Sequence, residues 1–155
     1  MKTMTFALIV IAHLIVTSGS MAEDGEDTKP LLGEWKVTAM QARGKVASEN
    51  NFAGMRYIIE EEQWTTHSGR TTPAGLAGKK PLRYGFSVDN EQTPKHLDWN
   101  FERRGAVMTV QAIYRIENDK LHICLGGLER PKSFDTEGNK FLYYIAERVV
   151  NDDSE

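Results

Sequence analysis

Hydrophobic and polar residues alternate with a period of two over several short stretches of this chain, and that period is typical of β-strands. The first stretch, residues 31–40 (LLGEWKVTAM), places Trp35, Val37 and Ala39 on one face. Seven further stretches indicate strands: residues 55–60, 63–67, 83–89, 96–102, 107–117, 120–125 and 140–150. Turn-forming residues separate the stretches, and none has a convincing helical period. The pattern therefore predicts an all-β domain of eight antiparallel strands.

Eight antiparallel strands can form a sandwich or a barrel, and the succession of hairpins favours an up-and-down barrel. The pair Asn118-Asp119 predicts a two-residue hairpin turn, because both residue types tolerate a positive φ. An eight-stranded barrel has room inside for side chains or for one small ligand. Closure also removes the exposed strand edges that invite aggregation. We expect a monomer.

The stretch at residues 96–102 (HLDWNFE) shows the clearest alternation, with Leu97, Trp99 and Phe101 on one face and polar residues on the other. We expect this stripe to face Trp35 and Val37 across the barrel. The wall of any cavity would then comprise Val37, Leu97, Trp99 and Phe101. The aromatic residues able to line a cavity are equally able to fill it: Tyr57, Trp64, Tyr84, Phe86, Trp99, Phe101, Tyr114, Phe141 and Tyr143.

The first 22 residues have the three regions of an export signal. Lys2 is basic, residues 4–16 (MTFALIVIAHLIV) are apolar, and Ser20-Met21-Ala22 fits the small-x-small rule for cleavage before Glu23. The alternative is a membrane anchor, but 13 apolar residues fall short of the ~20 that span a bilayer. We therefore expect a secreted or periplasmic protein with no membrane insertion after cleavage.

Composition divides the rest of the chain into a linker, one domain and a tail. Residues 23–30 (EDGEDTKP) are acidic and predict a disordered linker, residues 31–150 predict the barrel, and residues 151–155 predict an acidic tail. The connection at residues 68–81 (SGRTTPAGLAGKKP) is long and has no strand-length alternation. Because such loops are usually functional or mobile, we expect it at one rim of the barrel, where a ligand enters.

Charge and cysteine content exclude some classes of function and of stabilisation. The chain has 19 lysine and arginine residues against 22 aspartate and glutamate residues, a net charge of −3. A mildly acidic protein is a poor candidate for binding nucleic acid. Cys124 is the only cysteine, so no disulfide can form within the chain. Burial alone must stabilise the domain, which is feasible at this length.

Four segments together resemble a family of uncharacterised small secreted domains, described as lipocalin-like, that is greatly multiplied in planctomycete bacteria. They are residues 32–37 (LGEWKV); residues 87–89 (SVD) with Pro94 and Leu97-Asp98; residues 113–116 (IYRI) with residues 119–124 (DKLHIC); and residues 130–134 (RPKSF). Glu147-Arg148, in the last predicted strand, also matches the pattern of this family. One departure is Ala112, where the family usually has glycine. The resemblance implies a lipocalin-like barrel and export, and it carries over no catalytic residue.

The resemblance also implies how one end of the barrel closes. In lipocalin-like barrels an arginine on the last strand stacks over the tryptophan of the first strand, and here these residues are Arg148 and Trp35. Cation–π stacking of this kind contributes ~0.5–2 kcal/mol. Gly33, two residues before Trp35, leaves room for a close approach to the indole.

Other residues that could carry chemistry have a plainer interpretation. His122 and Cys124 share one strand face, as do His96 and Asp98, but nothing brings a third metal ligand to either pair. We expect Cys124 to be a small apolar thiol with an exposed histidine beside it. Residues 60–62 (EEE) predict a solvated hairpin tip rather than an acid–base pair. The basic doublets predict solvated turns: Lys79-Lys80 with Arg83, and Arg103-Arg104.

The function that follows is a non-catalytic binding module for a small apolar or amphipathic ligand, with no metal and no cofactor. The alternative is a protein-interaction module of the cell envelope, with a filled barrel that binds through its rim loops. An enzyme ranks third, because no catalytic constellation stands out. The volume inside the barrel decides between the first two hypotheses.

Overall fold

The structure, a computed structural model, describes residues 27–69 and 80–150. The predicted signal peptide, the first part of the predicted linker, most of the connection at residues 68–81 and the acidic tail lie outside the described residues. The strands are β1 (Gly33–Ala42), β2 (Lys45–Val46), β3 (Arg56–Ile59), β4 (Trp64–His67), β5 (Leu82–Asp89), β6 (Lys95–Arg103), β7 (Ala106–Glu117), β8 (Lys120–Gly127) and β9 (Leu142–Arg148). Short 3₁₀ helices lie at Lys29–Leu31 and Glu49–Asn51.

The described strands form one antiparallel sheet that closes on itself. β1 pairs with β3 on one side and with β9 on the other, and β3 to β9 follow one another in chain order. The two-residue β2 pairs only with the end of β1 and stands outside the closed ring. The predicted up-and-down barrel of eight antiparallel strands is therefore confirmed in the described part of the chain.

The register determines which side chains face the interior of the barrel, because paired residues share one face of a sheet. The inward pairs run around the barrel as Trp35–Tyr57, Ile59–Trp64, Trp64–Tyr84, Phe86–Trp99, Leu97–Ala112, Tyr114–Ile123, Leu121–Ala146 and Val37–Ala146. Most of these side chains belong to one buried hydrophobic cluster. Apolar side chains from all eight strands of the ring thus face one core.

Tight turns with positive φ join neighbouring strands, as the residue types at Asn118-Asp119 predict. These two residues have φ values of 52° and 57°. Arg104 and Gly105 make the same kind of turn between β6 and β7, with φ values of 54° and 77°. Two successive residues with positive φ give the turn a twist that matches the flanking strands.

A β-bulge in β1 changes the predicted inward face. The register with β9 shifts between Val37 and Ala39. Since one extra residue reverses the alternation, Met40 packs against the core and Ala39 lies on the outer face. The prediction that Ala39 continues the stripe of Trp35 and Val37 was therefore wrong.

The folded domain begins earlier than the predicted linker allows. Thr28 is buried, and Asn90 donates its amide N–H to the backbone and side-chain oxygens of Asp27 at 3.0 and 3.1 Å. Leu31 is fully buried, and the 3₁₀ turn at Lys29–Leu31 packs against the end of the barrel that holds Trp35. The acidic composition of residues 23–30 predicts a solvated linker, but the burial of Leu31 next to it orders residues 27–30.

The connection between β8 and β9, residues 128–141, packs on the outer face of the barrel, and we call it the strap. Arg130 donates to the Asp98 carboxylate at 2.6 Å and to the Ala112 carbonyl oxygen at 2.6 Å. Pro131 is fully buried. Farther along the strap, the Thr136 hydroxyl oxygen accepts the N–H of Gly44, in the turn between β1 and β2, at 2.9 Å. The strap is thus attached at two points to segments far away in sequence.

Candidate functional site

One end of the barrel is closed by stacking between the first and the last strand. The Arg148 guanidinium carbon lies 4.1 Å from the centre of the Trp35 ring, the arrangement that the resemblance implies. Arg148 also donates to the carbonyl oxygens of Leu32 and Pro30, at 2.6 and 2.8 Å. Gly33 has a φ of 117°, and a Cβ there would lie 3.0 Å from the guanidinium. These contacts are structural, because they join the last strand to the first strand and to the residues just before it.

The interior also holds an aromatic cage formed by Tyr57, Trp64, Tyr84, Phe86 and Trp99. The rings of Trp64 and Trp99 are 5.1 Å apart, and each lies about as close to a second cage ring. Tyr57 and Trp99 are 6.5 Å apart. Tilted and edge-to-face contacts at these distances are favourable. The cage is therefore a connected group of rings on β3, β4, β5 and β6.

Three hydrogen-bond donors of the cage have no partner in the described part of the protein. They are the Tyr57 hydroxyl and the indole N–H groups of Trp64 and Trp99. The three side chains are 1%, 0% and 7% exposed. Trp35 offers a contrast, because its indole N–H donates to the Leu31 carbonyl oxygen at 2.7 Å. Buried donors nearly always find an acceptor, so a cluster of three is unusual.

The tyrosine hydroxyls of the interior lie close enough to affect one another. Burial raises the pKa of Tyr57 well above its usual value, and the neighbouring Tyr144 and Tyr84 raise it further. The Tyr84 hydroxyl is hydrogen-bonded to the Thr66 hydroxyl. All three tyrosines therefore stay protonated at neutral pH and can donate hydrogen bonds.

Beyond the cage, three inward-facing apolar residues form a rim that is open to solvent: Leu82, Phe101 and Met108. Leu82 is 52% exposed and Met108 is 36% exposed. The rim lies where β5 begins, at the end of the connection that the sequence predicts as a ligand entrance. Inward apolar residues in contact with solvent are what the mouth of a binding site requires.

The four residues of the predicted cavity wall fall into two groups. Val37, Leu97 and Trp99 all belong to the buried hydrophobic cluster, Trp99 as a member of the cage, whereas Phe101 lies at the rim. The sequence predicts Tyr57, Trp64 and Tyr84 only as three of several aromatic residues able to line or fill a cavity. In the structure, their polar atoms distinguish the cage from the rest of the interior. Their alternate strand positions predict an inward direction, but the contacts of their rings with one another and with Trp99 depend on the register between strands.

The outer face under the strap holds the His122 and Cys124 pair. His122 is 9% exposed, so the expectation of an exposed histidine was wrong. The hydroxyl of Tyr143, on the adjacent β9, lies 2.6 Å from His122 Nδ1, which places Tyr143 outside the barrel rather than in a cavity wall. Burial, with a smaller effect of Asp135, raises the pKa of Cys124 to about 11. Its thiolate is therefore scarce at neutral pH.

The remaining acidic and basic candidates that the structure describes are exposed to solvent. Glu60, Glu61 and Glu62 are exposed at the turn between β3 and β4. The described basic residues of the doublets, Lys80 with Arg83 and Arg103-Arg104, are also exposed, and Lys79 lies outside the described residues. Within residues 27–69 and 80–150, no three His, Cys, Asp or Glu side chains are grouped to hold a metal ion.

No helix in the described ranges has the length and apolar character needed to cross a membrane. Comparison with models of known protein families and with curated proteins finds no match to this chain.

Proposed function

We propose that this barrel is a non-catalytic binding module for a small neutral molecule that carries a hydrogen-bond acceptor. The observation that supports the proposal is the set of three unpartnered, buried donors of Tyr57, Trp64 and Trp99. The ligand enters at the rim, places its acceptor among these donors and leaves its apolar body against the cage rings. The family resemblance of the sequence remains a prediction beside this proposal.

The energetic argument rests on the penalty for burying a donor without an acceptor, about 1–3 kcal/mol for each group. Three such groups together would remove a substantial part of the ~5–15 kcal/mol that stabilises an ordinary domain. A bound acceptor removes this penalty and contributes its own buried apolar surface, about 0.8 kcal/mol per methylene group. The site therefore favours a molecule with both a polar oxygen and an apolar body.

The rings of the cage and the described side chains of the rim are uncharged, and this favours a neutral ligand. Transfer of an ion into an apolar interior without a partner of opposite charge is strongly unfavourable. A ketone, ester or amide oxygen, in contrast, accepts hydrogen bonds without a net charge. We therefore assign the cage to neutral amphipathic ligands.

A neutral naphthyl ketone dye, 6-propionyl-2-(dimethylamino)naphthalene, tests the proposal by fluorescence titration of the purified protein. We expect saturable one-to-one binding, with a blue shift of the dye and energy transfer from tryptophan. Tyr57→Phe removes only the hydroxyl, so it should weaken binding about tenfold, or ~1.4 kcal/mol. Without the dye, this variant should be as stable as the native protein or up to about 1 kcal/mol more stable, because a buried donor is removed.

Tyr143→Phe is the matched control, because it removes a hydroxyl from the outer face, where that group bonds His122. Its dye affinity should equal that of the native protein. In ¹⁵N spectra the indole N–H signals of Trp64 and Trp99 should shift on binding, while that of Trp35 should not. Failure of the dye to saturate, or equal binding by Tyr57→Phe, would contradict the proposal. A loss of stability in dye-free Tyr57→Phe would show that the hydroxyl already bonds internal water.

A second candidate function is a cell-envelope interaction module that binds through the loops at the rim. The mutual contacts of the cage rings and the exposure of Leu82, Met108 and Val107 favour it. In that case the interior is structural and the exposed apolar residues contact a protein partner. The same titration separates the candidates, because an interaction module takes up no dye inside the barrel.

We also propose that the protein is exported and that its signal is removed. The order of basic, apolar and small residues that ends at Ala22 supports this. When the full chain is expressed in a bacterium with a general secretion pathway, N-terminal sequencing of the extracytoplasmic fraction should give a chain that begins at Glu23. A cytoplasmic chain that still begins at Met1 would contradict the proposal.

A further inference from the structure

A groove of about 720 Å³ lies on the outside of the barrel, at the end closed by Trp35 and Arg148. Its walls are the connection between β5 and β6, the end of β7 and the strap, with Pro30 beside them. The pairing of β6 with β7 ends at Lys95 and Tyr114, although β7 continues to Glu117. This difference in strand length leaves a notch, and the strap forms its outer wall.

Contacts between distant segments hold the walls in place. Arg130 and Pro131 attach the strap, so that Lys132, Ser133 and Phe134 follow along the groove. Phe134 is covered by the Arg115 guanidinium, whose central carbon is 4.6 Å from the ring centre. On the opposite wall, the Tyr114 hydroxyl donates to the side-chain oxygen of Asn90. The groove is thus a shaped feature of the fold.

The charge of the groove is opposite to that of the chain. Its lining includes Lys95, Arg115 and Lys132, and none of its described lining residues is acidic, whereas the whole chain has a net charge of −3. Arg115 is paired with Glu117 at 3.3 Å. Among the described residues, neither Lys95 nor Lys132 forms an ion pair. The Lys95 Nζ lies 6.0 Å from the centre of the Tyr114 ring, a long cation–π contact that leaves the ammonium groups of Lys95 and Lys132 available to an anion.

The floor of the groove is largely apolar, with contributions from Tyr114, Ile116 and Phe134. A volume of this size is typical of sites for small organic ligands. We infer that the groove binds an amphipathic anion, whose carboxylate, sulfonate or phosphate meets Lys95 and Lys132 and whose apolar body lies against Phe134 and Ile116. The groove shares no residue with the cage or the rim, so it is a second and separate site.

Two dyes with the same ring system test the inference: the anionic 8-anilinonaphthalene-1-sulfonate and the neutral N-phenyl-1-naphthylamine. The anionic dye should bind the purified protein saturably, and its affinity should fall as salt is added. Because single exposed ion pairs are weak, the two lysines are changed together. Lys95→Gln with Lys132→Gln should weaken binding of the anionic dye about tenfold and leave the neutral dye unaffected.

The matched control is Lys36→Gln with Lys120→Gln, which removes the same charge from exposed positions outside the groove. It should change the affinity less than twofold. Ser133→Trp fills the groove and should abolish binding of the anionic dye, with the near-UV spectrum showing an intact fold. Tyr57→Phe should have no effect here, which separates this site from the cage. Unchanged binding of the anionic dye in the lysine variant or in Ser133→Trp would overturn the inference.

Discussion

Arg130→Ala should lower the free energy of unfolding by about 3 kcal/mol and make Cys124 accessible to thiol reagents. Arg130 joins the strap to two strands, through the Asp98 carboxylate and the Ala112 carbonyl oxygen, each at 2.6 Å. Its removal leaves the Asp98 carboxylate, whose side chain is only 28% exposed, without its cation. Denaturant titration measures the change in stability, and the midpoint should shift without a change in slope.

The reactivity of Cys124 shows whether the loss of stability comes from the strap. In the native protein Cys124 is fully buried and its pKa is about 11, so it should react slowly with a disulfide reagent at pH 8. In Arg130→Ala we expect a rate at least tenfold higher. Lys120→Ala, which breaks the exposed pair with Glu147, should change stability by less than ~1 kcal/mol and leave this rate unchanged. A destabilised variant with a slow thiol would show that the strap stays in place without Arg130.

Arg148→Ala should lower the free energy of unfolding by about 2–3 kcal/mol. The guanidinium stacks on Trp35 and donates to two carbonyl oxygens of the N-terminal segment, so three contacts are lost together. In a Trp35→Phe background the loss should be about 1 kcal/mol smaller, because the two residues share the stacking energy. Denaturant unfolding of the native protein, both single variants and the double variant measures this coupling.

Arg56→Ala is a suitable control, since Arg56 forms a half-exposed pair with Glu34 at 3.1 Å on the same part of the barrel. We expect it to change stability by less than ~1 kcal/mol. Trp35→Phe also removes the hydrogen bond to Leu31, so its own effect is larger than the coupling. If the effects of Arg148→Ala and Trp35→Phe simply add, the stacking contributes nothing to stability.

Two local patterns predicted most of the barrel. Alternation at Leu97, Trp99 and Phe101 identified an inward face, and the register confirms that face. The turn at Asn118-Asp119 has the positive φ values that its residue types favour. Such features are predictable because side-chain direction in a strand and the conformation of a tight turn depend on a few neighbouring residues.

The candidate sites were predicted less well, because they consist of residues that are distant in sequence. Tyr57, Trp64 and Trp99 were each recognisable as inward aromatic residues, but the cluster of donors without acceptors exists only after β3, β4 and β6 are in register. The segment at residues 130–134 contributed to the family resemblance, but its role in attaching the strap follows only from the contact of Arg130 with Asp98 in the structure. Neither side chain carries a local signal for that contact.

The sequence by itself determined the class of fold, the number of strands in the ring and most of the side chains that face inward. Each of these follows from local alternation and turn chemistry. Only the tertiary structure decided that Met40 replaces Ala39 on the inner face, that Tyr143 and His122 lie buried together on the outer face, and that Lys95 and Lys132 border one groove. A bulge, a strap and a difference in strand length produce these arrangements. All three result from the packing of the closed barrel and of the segments on it, which the residues next to each position do not encode.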